Sequence, residues 1–135
     1  MIEYRSTVEG ITPEQLAGFF EGWPMPPTPE THRRILAASD RVELAVDAAS
    51  GVVVGFVTAI SDGILSAYIP LLEVRRDYRR RGIGRELMRR ILARLGDLYM
   101  VDLICDAERR PFYRALGMRD AAGMMIRNWD RQSGT

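Results

Sequence analysis

The chain has 135 residues, 47% of them hydrophobic, which suits one compact α/β domain with a buried core and gives no sign of a second domain. Its formal net charge of +1 argues against a general nucleic-acid-binding surface. All nineteen basic residues are arginines, and six of them lie between Arg75 and Arg85. This local concentration of planar, permanently charged side chains predicts one focused anionic ligand.

The sequence shows no signal for secretion or for a membrane. Cys105 is the only cysteine, which excludes an intramolecular disulfide and is compatible with a reducing compartment. The segment Met1–Gly10 has no apolar signal core, and the longest apolar stretch, Val52–Ile60, is far shorter than the ~20 residues of a membrane span. We therefore expect a cytoplasmic protein with no membrane partner, and no metal site is predicted.

The N-terminal third predicts one strand and two helices around a proline-rich loop. Ile2–Thr7 alternates loosely between apolar and polar residues, as a first strand would. Thr12, followed by proline and then by glutamine at the third position, is typical of a helix N-cap, and a short helix should run to about Phe20. Trp23–Pro29 contains four prolines and cannot form regular structure. A second helix is predicted over Thr28–Ala38.

The middle of the chain predicts three consecutive strands. They are Val42–Val46, Val52–Ile60 and Ile64–Val74, and the second is rich in β-branched residues. Pro70 lies inside the third strand. Because proline has no N–H to donate, the third strand should be an edge, bulged or splayed strand.

The C-terminal half begins with a change to helical periodicity. From Gly82 to Leu95 the apolar residues form one stripe, which predicts an amphipathic helix. A strand at Leu98–Cys105, a short helix at Glu108–Leu116 and a last strand at Arg119–Arg127 should follow. The order is strand, two helices, three strands able to pair antiparallel, helix, strand, helix and strand, which indicates a mixed α/β domain.

The most informative segment is Arg79-Arg80-Arg81-Gly82-Ile83-Gly84, between a predicted strand and a predicted helix. The first N–H groups of a helix have no intrahelical partner, so a helix start binds anions, and glycines let a pyrophosphate approach the main chain. A P-loop is excluded because the chain has no lysine, and a dinucleotide-binding fingerprint because Leu87 stands where its third glycine would be. From these residues alone, a tight turn beside solvated arginines is an equally good interpretation.

Two motifs together resemble a known family. Arg79-x-x-Gly82-x-Gly84 resembles the R/Q-x-x-G-x-G/A signature of the GNAT superfamily of N-acetyltransferases, and Pro111-Phe112-Tyr113-x-x-Leu116-Gly117-Met118 resembles its second signature. One helix and one strand separate the motifs, as in the family. The resemblance covers Val42–Arg127 well and the N-terminal third in outline. It implies a single-domain GNAT fold over residues 1–135: a mixed, mostly antiparallel sheet with a splayed parallel strand pair and about four helices.

The resemblance also implies acetyl-CoA as the cosubstrate, lying in a V-shaped gap between Ile64–Val74 and Leu98–Cys105. The strand edge near its end would pair with the pantetheine amides, and the arginine- and glycine-bearing turn would hold the pyrophosphate. The cofactor-binding residues implied in this way are Leu72, Val74, Arg79, Arg80, Arg81, Gly82, Ile83, Gly84 and Arg85.

The reaction that the resemblance implies is direct attack of an amine on the thioester carbonyl, with the oxyanion bound by a backbone N–H of the pantetheine-binding strand. Tyr113 stands where the family's acid usually stands, and a phenol with a pKa near 10 can protonate the leaving thiolate; its alternative role is packing. Glu73 and Tyr68 are the nearest candidates for the base, although structural roles suit both better. His32, in a polar helix, and Cys105, in an apolar strand, are not expected to be catalytic.

The acceptor cannot be identified from the sequence beyond a small-molecule or peptide amine. Its specificity should come from the N-terminal helices and from Trp23–Pro29, where Trp23 either anchors the loop or stacks on the substrate. A non-catalytic acetyl-CoA sensor is the alternative function. The low net charge disfavours an RNA-modifying enzyme, and a homodimer is compatible with the sequence.

Overall fold

A computed structural model describes every residue from Met1 to Thr135 and contains one five-stranded sheet. The strands lie side by side in chain order; the first four are antiparallel, and the last is parallel to the fourth. They are β1 (Ile2–Arg5), β2 (Arg41–Asp47), β3 (Val53–Ser61), β4 (Ser66–Val74) and β5 (Met100–Asp102). The mixed, mostly antiparallel sheet with one parallel pair is confirmed.

Three α-helices accompany the sheet, rather than about four: α1 (Pro29–Ala38), α2 (Ile83–Arg94) and α3 (Arg110–Arg114). The start of α1 is as predicted, because the Thr28 hydroxyl oxygen accepts a hydrogen bond from the Thr31 N–H at 3.1 Å. Single 3₁₀ turns connect other elements. None of the helices combines the length and the apolarity that crossing a membrane requires.

The sheet buries a separate apolar core on each face. One core packs against the apolar stripe of α2, where Leu87, Met88 and Ile91 are fully buried. The other lies under α1 and the N-terminal segment and includes Leu36 and Phe56. Because side chains alternate along a strand, successive residues of the sheet supply the two cores in turn.

Strand β4 separates from β5 after a short parallel pairing. Only Ser66–Tyr68 and Met100–Asp102 are in register; beyond them β4 continues to Val74, bonded to β3 alone. The register between β3 and β4 shifts opposite the segment that contains Pro70. This shift confirms that the proline distorts the ladder, and the separation leaves one edge of β4 open.

The helix predicted from Thr12 to Phe20 is wrong: only Pro13–Leu16 forms a 3₁₀ turn. The predicted capping box is present, and the Thr12 N–H donates to the Gln15 side-chain oxygen at 2.7 Å. The chain then leaves the helical path because Gly18 and Phe20 have φ angles of 95° and 63°. Left-handed residues cannot continue a right-handed helix.

Strand β5 is shorter than predicted. The sequence favours a strand over Leu98–Cys105, but the observed strand is Met100–Asp102. Beyond Asp102 the chain diverges from β4 and meets no other strand, so its backbone has no ladder to join.

The last predicted strand, Arg119–Arg127, is also wrong. No backbone–backbone hydrogen bond joins this segment to the rest of the chain. The shortened β5 offers no ladder here, and the Ala-Ala-Gly run at 121–123 has low strand propensity. The segment is extended along the surface, and Met124 and Ile126 are 97% and 95% exposed.

Candidate active site

The separation of β4 from β5 opens a cleft of about 870 Å³, a size typical of ligand sites. The splayed end of β4, the start of α2 and helix α3 form its walls. The sequence-predicted residues that line it are Leu72, Glu73, Val74, Arg79, Arg80, Gly82, Ile83, Gly84, Arg85 and Tyr113. One cavity therefore brings together every predicted site residue except Arg81.

The start of α2 presents free backbone donors to this cleft. Its first backbone bond joins the Glu86 N–H to the Gly82 carbonyl at 3.0 Å, which leaves the N–H groups of Ile83, Gly84 and Arg85 without a backbone partner. All three residues line the cleft. Unpaired amides and the positive end of the helix dipole together favour an anion at this position.

The two glycines of the turn differ in their backbone conformation and in what a side chain would meet. Gly82 caps α2 with a φ of 80°, a conformation that a Cβ disfavours. Gly84 has an ordinary φ, but a Cβ there would project toward Val74 and Phe112, 3.6 and 3.7 Å away. Both of those neighbours line the cleft, so a methyl group at Gly84 would enter the space where α2 approaches α3.

The arginines of the turn have different partners. Arg79 donates from Nε to the Val74 carbonyl at 2.9 Å and pairs with Glu21 at 3.4 Å, so it ties the end of β4 to the N-terminal segment. Arg81 donates to the Asp77 carbonyl and lies over the Tyr78 ring, 4.9 Å from its centroid. Arg81 itself does not line the cleft, and the charge that lines it near the helix start comes from its neighbours in the turn.

Tyr113 lies in α3 and lines the cleft opposite β4. Burial is the main cause that raises the pKa of its phenol, with a smaller contribution from Cys105, while Arg109 acts in the opposite sense. A raised pKa keeps the hydroxyl protonated at neutral pH. The phenol is therefore in the state that a proton donor needs.

Glu73 makes contacts with the N-terminal segment, whose residues the sequence did not identify as its partners. Its two carboxylate oxygens accept hydrogen bonds from the backbone N–H groups of Phe20 and Glu21, at 2.8 and 3.3 Å. These bonds hold the N-terminal segment against β4 and fix the left-handed turn at Phe20. Its neighbour Leu72 packs with the core under α2, so Glu73 faces the opposite side of the sheet.

The far wall of the cleft was predicted only in part. Its residues follow β5 or belong to the C-terminal segment, and they include Leu103, Cys105, Asp106, Arg109, Met125 and Arg127. Cys105, expected in the core, is a partly exposed free thiol at this wall. The sequence placed Leu98–Cys105 on this wall as a strand, but it assigned the C-terminal segment to another strand and gave it no place at the cleft.

This arrangement is matched by a known family. The model of the GNAT acetyltransferase family matches residues 8–118, which is most of the chain, and the protein belongs to that family. Acyl transfer from acetyl-CoA is the general activity of the family.

Particular relatives support the assignment. A candidate acetyltransferase from Deinococcus radiodurans R1 is 56% identical, with a TM-score of 0.96, 99% of this chain and 93% of that chain covered. A GNAT family acetyltransferase from Streptococcus pneumoniae TIGR4 is 29% identical, with a TM-score of 0.75 over 95% and 98% of the two chains. The chloroplastic GCN5-related N-acetyltransferase 3 of Arabidopsis thaliana is 38% identical over 73 residues, 53% of this chain. The match spans 31% of the length of that plant protein.

Proposed function

We propose that this protein transfers an acetyl group from acetyl-CoA to an amine of a small-molecule or peptide acceptor, by direct attack within a ternary complex. The observation that carries the proposal is the cleft between the splayed strands, which has free helix amides at one end and Tyr113 on its wall. In a chain that belongs to the GNAT acetyltransferase family, this cleft is the natural place for the cosubstrate.

The pyrophosphate of acetyl-CoA would lie at the start of α2. The unpaired N–H groups of Ile83, Gly84 and Arg85 are suitable donors for its oxygens, and glycine at 84 leaves room beside them. Arg80 and Arg85 add charge at the lining of the cleft, whereas Arg81 does not line it and donates to the Asp77 carbonyl. The open edge of β4 offers backbone groups to the pantetheine amides.

The chemical step follows from the thioester's needs. The amine nitrogen forms a bond to the carbonyl carbon, the oxyanion accepts a hydrogen bond from a backbone N–H of β4 near Leu72, and the carbon–sulfur bond then breaks. Tyr113 gives its phenolic proton to the departing thiolate. The nitrogen releases a proton to solvent water, and the Tyr113 phenolate takes up a proton from the solvent. Burial keeps that phenol protonated until it is used.

The ammonium form of the acceptor must lose a proton before its nitrogen can attack the thioester. Glu73 is the carboxylate that lines the cleft on the N-terminal side. Its oxygens already accept two backbone hydrogen bonds, so it suits a positioning role better than that of a free base. We propose that Glu73 acts chiefly by fixing the N-terminal turn and that water carries the proton away.

The test is release of CoA thiol from acetyl-CoA in the presence of a panel of amines and peptides. Acetyl transfer predicts that at least one acceptor class accelerates thiol release above the rate of hydrolysis. The alternative function, a non-catalytic acetyl-CoA sensor, predicts saturable binding of acetyl-CoA with no acceleration by any acceptor. A protein that neither binds acetyl-CoA nor releases thiol would contradict both functions.

A further inference from the structure

A second cavity lies beside the N-terminal turn, on the sheet face opposite α2. It has a volume of about 290 Å³, near the lower end of the range for ligand sites. Its walls come from the 3₁₀ turn, the proline-rich loop and the start of α1. The lining residues are Leu16, Gly18, Phe19, Phe20, Pro26, Pro27, Thr28, Pro29 and His32. The polar side-chain groups of this lining are the Thr28 hydroxyl and the His32 imidazole.

His32 is buried without a polar partner. The sequence suggested a polar helix, but the side chain is only 1% exposed, and neither Nδ1 nor Nε2 has a hydrogen-bond partner in the chain. Rings of Phe19, Phe20 and Phe56 surround it, with centroids 5.4, 4.9 and 4.4 Å from the imidazole. A buried polar atom without a partner is costly, and both of these atoms belong to a side chain that lines the cavity.

The imidazole in this cavity is neutral. Burial lowers the pKa of His32 to about 4, so at neutral pH the ring offers one N–H donor and one nitrogen acceptor. A charged group would be unfavourable here, because the aromatic and proline walls cannot solvate it and the ring cannot neutralise it. The cavity therefore fits a neutral, mostly apolar group with one hydrogen-bonding atom.

Phe20 connects this cavity to the cleft. Its ring lines the cavity, while its backbone N–H is held by Glu73 of β4, which lines the cleft. Its φ of 63° is strained for an aromatic residue and is maintained by that bond. The cavity and the cleft therefore lie on either side of the contact between Phe20 and Glu73.

We propose that the His32 cavity binds the side group of the acceptor amine, and that this group is a ring or branched chain with one neutral hydrogen-bonding atom. The inference rests on the proposed acetyl transfer, which it narrows to aromatic and similar apolar amines. Polyamines and aminoglycosides, which carry several charges, do not fit a neutral imidazole among phenylalanines and prolines.

The single histidine allows a direct test of occupancy. The chain contains one histidine, so the imidazole resonances in a ¹H–¹⁵N spectrum belong to His32 alone. Tyramine, which has one phenolic hydroxyl, should shift these resonances saturably, and phenethylamine, which lacks it, should shift them less. No shift at millimolar tyramine, or an equal shift with putrescine, would overturn the proposal.

The kinetic test uses a variant with a matched control. His32→Leu keeps an apolar side chain and removes both nitrogens, so KM for tyramine should rise about tenfold, the worth of one hydrogen bond, while KM for phenethylamine changes less than about twofold. Thr58→Val is the control, because it removes a buried hydroxyl that also lacks a partner but lies outside this cavity. It should leave KM for both amines unchanged. An equal rise for both amines in His32→Leu would overturn the role of the imidazole.

The two proposals can fail separately. If amines accelerate thiol release but neither shift the His32 resonances nor respond to His32→Leu, acetyl transfer is supported and the proposed role of the cavity is overturned. A saturable tyramine shift without thiol release from any amine would support the cavity as a ligand site and overturn acetyl transfer. If His32→Leu does not fold, the spectrum of the unmodified protein still decides the question of occupancy.

Discussion

The turn at Arg79–Gly84 and the N-terminal segment at Gly18–Pro29 lie on either side of the strand β4 and differ in what determines them. The turn depends on its own backbone: a left-handed glycine, free helix amides and a strand that feeds a helix. The conformation of the N-terminal segment depends on residues distant in the sequence, since Glu73 and His32 contact Phe20. These contacts cannot be predicted from the residues of the segment itself. Local pattern therefore identifies the residues of the turn, and tertiary contacts shape the N-terminal segment.

The largest expected effect concerns the chemistry between these two regions. Tyr113→Phe should lower kcat by about 10²-fold or more, the scale of general-acid catalysis, and leave acetyl-CoA affinity nearly unchanged. The ring and its packing are kept, so thermal stability should stay close to that of the unmodified enzyme. Steady-state kinetics with an acceptor from the panel measure this. Turnover within a few-fold of normal would mean that Tyr113 is a packing residue.

The pH profile sharpens the same point. Because burial raises the pKa of Tyr113, the phenol stays protonated through neutral pH, and the rate should fall only when the pH passes that raised value. The alkaline limb of kcat should therefore lie above pH 10, the ordinary range of a phenol. If the alkaline limb is unchanged in Tyr113→Phe, the ionisation that causes it belongs to another group.

The next largest effect tests the turn itself. Gly84→Ala should raise the acetyl-CoA Kd about tenfold, because the methyl group enters the cleft beside the helix amides. Gly96→Ala is the matched control, since it also has an ordinary φ and its nearest neighbour, at 3.5 Å, is a helix carbonyl outside the cleft. Calorimetric titration measures both variants. Equal Kd values in the two would show that Gly84 is only structural.

Gly82 needs a different control because its φ is positive. Gly82→Ala and Gly63→Ala place a methyl group at φ angles of 80° and 74°, both in open space, so they should cost similar stability. Gly82→Ala should weaken acetyl-CoA binding by several-fold and Gly63→Ala should not. If both variants bind acetyl-CoA as tightly as the unmodified protein, the cap of α2 does not contact the ligand.

The smallest expected effect tests the acceptor side. Glu73→Gln keeps an acceptor for one backbone N–H but removes the charge, so KM for the amine should rise about threefold with kcat nearly unchanged. Glu3→Gln is the control, because that carboxylate pairs with Arg5 on β1 and lines neither the cleft nor the second cavity. A large fall in kcat with loss of the acid limb of the pH profile would instead make Glu73 the base.

Much of the fold was predictable, and the failures share one cause. Capping at Thr28 and the apolar stripe of α2 are local patterns, and both were predicted correctly. The first helix was wrong because the chain turns extended at Ala17 and left-handed at Gly18, and Glu73 then holds a second left-handed residue at Phe20. The last strand was wrong because β5 stops at Asp102 and offers no ladder to join.

The same division holds for the site. The near wall of the cleft could be predicted because its residues are consecutive in the sequence, whereas most of its far wall and the His32 cavity arise from loops and segments that meet only in the fold. The homodimer stays a prediction, and light scattering on the purified protein measures it.

Titration of the protein with acetyl-CoA tests the central claim most directly. We expect saturable one-to-one binding and a rise in the thermal midpoint by mass action. The binding curve of Gly84→Ala should be displaced to higher acetyl-CoA concentration, and that of Gly96→Ala should be unchanged. Dephospho-CoA should bind more weakly if an arginine at the cleft contacts the 3′-phosphate. No binding heat and no thermal shift at millimolar acetyl-CoA would contradict the assignment of the cleft.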